Sequence, residues 1–434
     1  MTKEITEKID NKSAIIGIVG LGYVGLPMAV TIAGKGFDVI GIDVSRHAVE
    51  SVNAGKNYIG DIDDAKLERL VREKKLKASF DYKELKDADV VLIAVPTPLD
   101  KYQQPDSSYI RASVKSLAES VSKNTLIVLE STTYPGTTRE ILVPVFTEKG
   151  FTVGEDIFIA FSPERVDPGN KTYKTGNTPK IVGGVTENCN KVAELFYNSV
   201  LDAPVHLVKS PEVAEMEKIY ENTFRNINIA LANEMTILCN RMGIDIWEVI
   251  DAAKTKPYGF MAFYPGPGIG GHCIPLDPFY LTWKAREYDY HTRLIELAGE
   301  INNAMPEFVV DKASKLLNKK GIALSRSKIL LLGAAYKKDI EDIRESPIFR
   351  IAEILQNFEA DFDYNDPYIP QYHNHLTGKD YKSIDLAEIG KYDLVMILTN
   401  HTDYDYKMVC ENAKMVLDTR NACKGIDSKN LVRM

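Results

Sequence analysis

The chain has 434 residues, of which 44% are hydrophobic and 26% are charged, so it exceeds the length of one ordinary domain and has a globular composition. Its formal net charge of −8 gives no general attraction to nucleic acid or to an anionic membrane. The amino-terminal segment lacks a basic-then-apolar leader, and no apolar run reaches the roughly 20 residues that span a bilayer. We therefore expect several domains, a cytoplasmic location and a small-molecule partner.

Strand-like runs alternate with helical patterns from residue 14 to about residue 205: AIIGIV, FDVIGID, ADVVLIAV, NTLIVLE, DIFIAF and PKIVGG. Such alternation is typical of a parallel sheet covered by helices on both faces. A second series, SKILLLG, ADFDYND, YDLVMIL and AKMVLDT, follows near the carboxyl terminus. The sequence therefore predicts two α/β domains.

A long helical stretch lies between the two series. It opens at Ser210-Pro211-Glu212, which supplies an N-cap, a proline at the first helical position and an early acid, and it can continue to Gly243. About 32 residues at about 1.5 Å each give a rod of about 48 Å. We expect this helix to join the domains and to pair with its copy in a homodimer, although a simple spine stays an alternative. The predicted segments are 1–205, 206–310 and 311–434.

A glycine-rich turn follows the first strand. Gly20-Leu21-Gly22-Tyr23-Val24-Gly25 stands between AIIGIV and a helical pattern, where glycines allow a pyrophosphate to approach backbone N–H groups. Asp43 ends the next strand and can accept hydrogen bonds from both ribose hydroxyls, which favours NAD over NADP. Arg46 could instead pair with a 2′-phosphate, or it could be a solvated helix residue. The spacing predicts an NAD site.

Two later strand ends carry hydroxyls and prolines. Pro96 and Thr97 follow one strand, and Thr132 and Thr133 follow another. In open α/β sheets, ligands lie beyond the carboxyl ends of the strands. We expect both segments to face the cofactor, with ordinary turns as the alternative.

The stretch from Tyr264 to Asp277, YPGPGIGGHCIPLD, is rich in glycine and proline and is predicted to be a loop. It presents Cys273, whose thiolate would be a strong nucleophile beside a positive group. The other cysteines (Cys189, Cys239, Cys410, Cys423) are scattered without CxxC spacing, so neither a disulfide framework nor a metal site is expected. For these four we expect small apolar side chains.

On the long helix, Lys218, Asn222 and Arg225 share one face because they are spaced i, i+4 and i+7. A lysine and an amide one turn apart can donate hydrogen bonds to an oxygen that becomes negative during a reaction. They could equally be solvated helix residues. The segment SPERVDPG, residues 162–169, follows the strand DIFIAF, and its carboxylates could orient a water molecule.

Taken together, these motifs resemble the UDP-glucose/GDP-mannose dehydrogenase family over nearly the whole chain. The matching stretches are GLGYVGLP, VPTP, ESTTYPGTT, SPERVDPG, EKIYENTFRNINIALANE, PGPGIGGHCIPLD and GAAYKKDIEDIRESP. The resemblance implies two Rossmann-like, doubly wound domains joined by a long central helix. It also implies NAD on the first domain, a UDP-sugar on the second, and a homodimer built on the helix.

The resemblance carries roles onto particular residues. Cys273 matches the nucleophile, Lys218 and Asn222 match the pair that stabilises oxyanions, Asp277 and Thr133 match residues that order water and assist proton transfer, and Glu164 matches the carboxylate of thioester hydrolysis. The expected cofactor-binding residues are Gly20, Gly22, Tyr23, Val24, Gly25, Asp43, Arg46, Pro96, Thr97, Thr132 and Arg344. The expected substrate-binding residues are Glu164, Arg165, Val166, Lys218, Asn222, Arg225, Tyr264, Gly266, Gly268, Gly270, Tyr336, Lys337 and Arg420.

The segment TKPYGFMAFYPGPG lacks the basic residue that the family usually has before the glycine loop. This segment resembles the subgroup that acts on UDP-N-acetylhexosamines, with UDP-N-acetylglucosamine the favoured substrate and UDP-N-acetylmannosamine or UDP-glucose as alternatives. The implied reaction is a four-electron oxidation at C6 to the uronic acid, through a cysteine thiohemiacetal and a thioester, for surface-polysaccharide precursor synthesis. A two-electron dehydrogenase of the β-hydroxyacid type and a non-catalytic NAD-binding module are the rival hypotheses.

Overall fold

A computed structural model of the chain describes residues 2–60, 62–100, 102–167 and 169–434. The chain divides into two compact units. Unit 1 comprises Met1–Glu221 and Phe279–Tyr290, and unit 2 comprises Asn222–Pro278 and His291–Met434. The predicted boundaries at residues 205 and 310 stay predictions.

Unit 1 is built on an eight-stranded sheet in the order β3-β2-β1-β4-β5-β6-β7-β8. Its strands are β1 Ile15–Val19, β2 Asp38–Ile42, β3 Leu76–Ser79, β4 Val90–Ile93, β5 Thr125–Leu129, β6 Ile157–Phe161, β7 Lys180–Gly184 and β8 Val205–Val208. The central strands are nearly continuous apolar runs because both of their faces are covered. In β5 and β6 every residue is buried.

Helices cover both faces of this sheet, and each face has its own apolar core. These helices are α1 Thr2–Asp10, α2 Gly25–Gly34, α3 Arg46–Asn53, α4 Asp64–Arg72, α5 Ser108–Ser120, α6 Val143–Glu148 and α7 Glu187–Val200. Side-chain caps fix several of the helix starts. Ser45 accepts a hydrogen bond from the backbone N–H of Ala48, and Thr186 accepts one from that of Cys189.

The six predicted strands of unit 1 are all present, and one pair departs from the parallel arrangement. Strand β7 runs antiparallel to β6. The connection between them contains no helix among its described residues, so the chain returns without the crossover that parallel pairing requires. The sequence reading missed β3 and β8, which are short strands at the two ends of the sheet.

The predicted central helix is confirmed as α8, Pro211–Met242, with 32 residues. It passes from unit 1 into unit 2. Three further helices follow it: α9 Ile246–Ala253, α10 Cys273–Ala285 and α11 Arg293–Asn318. Among the residues described above, no helix is both long enough and apolar enough to cross a bilayer.

Unit 2 contains a second parallel sheet, in the order β10-β9-β13-β14-β15. Its elements are β9 Lys328–Leu332, α12 Pro347–Asn357, β10 Asp361–Asn365, β11 Gln371–Asn374, β12 Lys379–Lys382, β13 Leu394–Ile397, α13 Tyr406–Asn412, β14 Val416–Asp418 and β15 Leu431–Arg433. The four predicted strands of this series are confirmed. The antiparallel hairpin β11–β12 and the edge strand β15 were not predicted.

Candidate active site

The glycine-rich turn in unit 1 joins β1 to α2, and its three glycines differ in what surrounds them. A Cβ atom on Gly20, whose φ is +92°, would lie 2.5 Å from the carbonyl oxygen of Ala94, and one on Gly25 would lie 1.8 Å from that of Gly20. A Cβ on Gly22 would meet no described atom within 4 Å. Gly20 and Gly25 are therefore required by packing, whereas Gly22 leaves open backbone at a helix N-terminus, which suits a pyrophosphate.

Asp43 lies directly after β2 and is tied to this turn. Its Oδ2 accepts a hydrogen bond of 2.7 Å from the N–H of Leu21, and its Oδ1 accepts one of 2.8 Å from that of Ser45. Each carboxylate oxygen keeps a lone pair for a ribose hydroxyl.

Arg46 opens α3 with its side chain 84% exposed, and its Nε lies 3.8 Å from Glu50, which favours the solvated-residue interpretation. Tyr23 is 47% exposed, and Val24 is the residue before α2.

The segments after β4 and β5 lie side by side at the carboxyl edge of the sheet. The hydroxyl of Ser131 donates to the carbonyl of Val95 over 2.8 Å. Pro96 is exposed and Thr132 half-buried, whereas Thr97 and Thr133 are buried. The hydroxyl of Thr133 lies 2.8 Å from that of Thr137, and the carbonyl of Thr97 accepts a hydrogen bond from the Tyr280 hydroxyl.

Glu215, which the sequence reading missed, fixes the loop that carries Thr133. Its fully buried carboxylate accepts hydrogen bonds from the N–H of Gly136 and from both the N–H and the hydroxyl of Thr138. Burial raises the pKa of Glu215 to about 7 despite these donors. An acid one turn into a helix gives no sequence signal of burial, so only the fold identifies it.

The segment after β6 brings Glu164 and Lys218 together. The buried Lys218 ammonium donates to the backbone carbonyl of Glu164. The Glu164 Oε1 accepts hydrogen bonds of 2.8 Å and 2.9 Å from the N–H groups of Arg165 and Val166. The guanidinium of Arg165 donates to Glu221 on α8, so this predicted substrate residue is held by an ion pair.

In unit 2, Cys273 is exposed and is the first residue of α10. The prediction that residues 264–277 form one loop is wrong for the last five of them, which are helical. Pro275 stands in the first turn, where backbone N–H groups have no intrahelical acceptor, so it does not block the helix. The position of Cys273 at the start of a helix favours its predicted chemistry, because a helix N-terminus stabilises a thiolate.

His272 precedes the thiol and was not among the predicted site residues. Burial, followed by the Arg344 guanidinium, lowers the pKa of His272. Its imidazole is therefore neutral at neutral pH. A neutral His272 adds no positive charge beside the thiol, whereas the start of α10 favours a thiolate at Cys273.

Asn222 and Asp277 form a buried pair in unit 2. The amide nitrogen of Asn222 donates to Oδ2 of Asp277 over 2.6 Å, and the two residues are 4% and 1% exposed. Lys218 lies one turn before Asn222 on α8 and is also buried, whereas Arg225 is exposed. The predicted common face is therefore buried at Lys218 and Asn222 but not at Arg225.

A ladder of three asparagine side chains ties the glycine loop to α8, and the sequence reading missed it. Asn233 accepts from the N–H of Gly266 over 3.0 Å and donates to Asn302 over 2.9 Å. Asn302 donates to the backbone carbonyl of Asn226, whose own amide donates to that of Ile274 over 3.0 Å. Buried amides thus hold the glycine loop at Gly266 and the first turn of α10 at Ile274.

Further predicted substrate residues gather around this loop. A Cβ on Gly266 would lie 2.3 Å from Nη1 of Arg420, and one on Gly270 would lie 2.4 Å from Cβ of Tyr336, so both glycines allow close approach. Gly268 has a φ of +140°. Burial lowers the pKa of Arg420 to about 10, and its Nε donates to the carbonyl of Leu398 over 2.9 Å.

The remaining predicted residues of unit 2 are Tyr264, Lys337 and Arg344. Tyr264 is 46% exposed and stacks on Trp247 with ring centroids 6.2 Å apart. Lys337 is half-buried. Arg344 pairs with Asp342 through two guanidinium nitrogens, and its carbonyl accepts from the N–H of Gly271. Within the described ranges, no group of three or more His, Cys, Asp or Glu side chains is placed to hold a metal ion.

The glycine turn with its following acid and the two Rossmann-like sheets define an NAD-dependent oxidoreductase. The chain belongs to the UDP-glucose/GDP-mannose dehydrogenase family: the NAD binding domain model matches residues 14–201, the central domain model 212–304 and the UDP binding domain model 330–425. Its cofactor is NAD. This membership excludes the non-catalytic module among the rival hypotheses.

Family members similar to this chain are named for different substrates. The chain is 33% identical to UDP-N-acetyl-D-glucosamine 6-dehydrogenase of Pseudomonas aeruginosa, over 93% of this chain and 94% of that protein. It is 34% identical to UDP-N-acetyl-D-mannosamine dehydrogenase of Pyrococcus horikoshii, over 94% and 96%. A solved structure of UDP-D-ManNAc dehydrogenase from Pyrococcus horikoshii is similar with a TM-score of 0.87 at 32% identity, covering 96% of this chain and 98% of that one.

Proposed function

We propose that this enzyme oxidises the C6 alcohol of a UDP-N-acetylhexosamine, with UDP-N-acetylglucosamine as the favoured substrate, to the carboxylate in two successive two-electron steps. The observation that carries the proposal is the position of Cys273 at the start of α10, one helical turn before Asp277, which is bonded to Asn222. Two observations support this substrate class: TKPYGFMAFYPGPG lacks the family's usual basic residue a few positions before the glycine loop, and the chain is similar to dehydrogenases of N-acetylated sugars.

When bound, NAD+ is the hydride acceptor in each oxidation. Gly22 offers open backbone N–H groups to the pyrophosphate, and Asp43 accepts hydrogen bonds from the ribose hydroxyls. Arg420 and the backbone of Gly266 to Gly270 lie together, which suits them to hold the UDP-sugar. Arg420 is a fixed cation whose fork geometry matches a phosphate.

The first oxidation leaves an aldehyde at C6 and releases the alcohol proton. The Cys273 thiolate adds to the aldehyde carbon through a new C–S bond, and the resulting thiohemiacetal keeps the reactive group on the enzyme. The Lys218 ammonium and the Asn222 amide offset negative charge on the sugar oxygen, and losing one such donor typically costs about 10²–10³-fold in rate.

Loss of a second hydride and the hydroxyl proton converts the thiohemiacetal to a thioester. Water then adds to the carbonyl carbon, one of its protons passes to Glu164 or Asp277, and the C–S bond breaks to release the Cys273 thiolate. Thr133 assists the placement of water. Overall, one alcohol, one water and two NAD+ are consumed, and one carboxylate, two NADH and three protons are formed.

The test counts NADH formed per sugar consumed, with UDP-N-acetylglucosamine, UDP-N-acetylmannosamine, UDP-glucose and UDP-N-acetylgalactosamine side by side. We expect a ratio of two and the highest kcat/KM with UDP-N-acetylglucosamine. Cys273→Ser should abolish four-electron turnover, with Cys239→Ser as the control on a cysteine outside the site. A ratio of one would favour the β-hydroxyacid type of dehydrogenase.

We also propose a homodimer formed through α8. The helix exposes large apolar side chains along its length: Val213, Met216, Tyr220, Phe224, Leu231, Leu238 and Met242. Light scattering should give twice the 48.5 kDa chain mass, and Leu231→Glu should produce monomers, because burying a lone charge opposes association. The three-segment organisation, the cytoplasmic location and the role in surface-polysaccharide synthesis stay predictions.

A further inference from the structure

A cluster of buried ionisable side chains lies within unit 1 at the carboxyl ends of β5 and β6. Lys180 is the first residue of β7 and is 2% exposed, and Glu130 follows β5 and is 1% exposed. The Lys180 ammonium lies 3.1 Å from Oε2 of Glu130. The Tyr197 hydroxyl, from α7, donates to Oε1 of the same carboxylate. Buried charges of this kind need partners, and Glu130 has two.

The same ammonium also faces Glu164. The distance from Nζ of Lys180 to Oε2 of Glu164 is 3.6 Å. This oxygen is buried, and among the described residues no hydrogen-bond donor reaches it. The other oxygen, Oε1, is occupied by the N–H groups of Arg165 and Val166. Lys180 therefore places a positive charge beside this unsatisfied oxygen.

Two carboxylates thus share one ammonium, so the cluster carries a net negative charge whenever both are ionised. Burial raises the pKa of Glu130, and the nearby Glu130 and Glu164 carboxylates keep the pKa of Lys180 raised in spite of its burial. Charged groups of α8 also contact the Glu164 segment, and one of them, Lys218, binds the Glu164 carbonyl. Arg165 beside it is paired with Glu217 and Glu221.

We propose that Lys180, held in place by Glu130 and Tyr197, is a positioning residue for thioester hydrolysis: its ammonium fixes Oε2 of the Glu164 carboxylate. Because the backbone carbonyl of Glu164 receives Lys218, the same anchor also sets the position of that ammonium. This inference rests on the proposed function. Its rival is a purely structural ion pair between Lys180 and Glu130.

Three variants distinguish a positioning role of Lys180 from a purely structural ion pair with Glu130. Glu130→Gln keeps the cation beside Glu164. Lys180→Met leaves Glu130 buried without a cation and is expected to lower thermal stability. The double variant Glu130→Gln/Lys180→Met removes that buried charge, so it should regain stability, yet Glu164 still lacks its partner. Glu164→Gln serves as the reference for blocked hydrolysis.

The readouts are the NADH time course in the first turnover, the intact mass of the protein during turnover, and the pH dependence of kcat. We expect the double variant to lose about 10–100-fold in kcat, less than the about 10²–10⁴-fold of a lost general base. It should show a burst of NADH, accumulate the covalent sugar adduct, and have its acidic limb at higher pH than Glu130→Gln, since a carboxylate without its cation takes up a proton more readily.

The inference is overturned if the stabilised double variant hydrolyses the adduct as fast as Glu130→Gln and keeps its pH profile, because activity then follows stability alone. Failure of the proposed function looks different. In that case the wild-type enzyme would form one NADH per sugar, or Glu164→Gln would accumulate no adduct.

Discussion

The amide of Asn222 donates to Oδ2 of Asp277 over 2.6 Å, and both side chains are buried. The pair joins α8 to the first turn of α10, the helix that begins with the proposed nucleophile. This hydrogen bond fixes Asp277 in position, as the proposed water-ordering carboxylate requires.

We predict that Asp277→Asn lowers kcat by about 10²–10⁴-fold, the range for a lost general base. The replacement amide can still accept from Asn222, so the free energy of unfolding should change by no more than about 1.5 kcal/mol. Steady-state kinetics and urea unfolding check the two parts. Near wild-type kcat in a folded Asp277→Asn enzyme would exclude Asp277 from proton transfer.

The dinucleotide turn offers a matched pair of glycine substitutions. Gly22→Ala should leave the melting temperature unchanged, since the added methyl meets no described atom within 4 Å, but it should weaken NAD binding because the methyl enters the space of the pyrophosphate. Gly25→Ala should destabilise the fold, because the methyl would lie 1.8 Å from the Gly20 carbonyl oxygen. Calorimetry and NAD titration distinguish the two, and an unaltered NAD affinity in Gly22→Ala would place the pyrophosphate elsewhere.

The asparagine ladder should hold the glycine loop in the conformation that binds the UDP-sugar. Asn233→Leu removes the acceptor of the Gly266 N–H and the donor to Asn302, which leaves buried groups unsatisfied at a cost of about 1–3 kcal/mol. We expect a higher KM for the UDP-sugar with a smaller effect on the KM for NAD. Asn228→Ala is the control, because Asn228 lies on the same helix and its amide donates to the Phe224 carbonyl of that helix. Equal effects of the two substitutions would contradict the role of the ladder.

The stability of the enzyme should depend on the ionisation of Glu215. Its pKa is about 7 in the folded protein against 4.5 for an ordinary glutamate. Between these values the unfolded chain has released a proton that the folded chain retains, so this group makes stability fall as the pH rises, by at most about 1.4 kcal/mol per pH unit. Below pH 4.5 both states are protonated and the contribution is fully present; it is lost as the pH rises through 7.

Urea unfolding from pH 4.5 to pH 8 of the wild type and of Glu215→Gln measures this slope. The glutamine variant should be less stable, because its NH2 group replaces one of the two acceptor oxygens and faces the N–H of either Gly136 or Thr138, and it should lack the extra pH dependence. Parallel pH curves for the two proteins would show that the pKa of Glu215 is not raised in the folded protein, because its three donors offset its burial.

The sequence was sufficient for features that depend on local pattern. The glycine turn and Asp43 can be recognised in the sequence because a dinucleotide fold needs those residue types at fixed separations. The helix α8 can be recognised because a proline at its start and a glycine after its end bound a helical run. It misplaced the start of α10, since glycine and proline dominate residues 264–275 and proline is compatible with a first helical turn.

The tertiary structure alone decided which polar side chains are buried together. Glu130 and Lys180 are 50 residues apart, as are many charged pairs that never meet, and Asn233 and Asn302 are 69 residues apart. Nothing in local periodicity marks such residues, because their burial results from the way strands and helices pack. The sequence therefore determined the cofactor and the family and predicted the nucleophile, while the packing determined which carboxylates, amides and lysines are buried together.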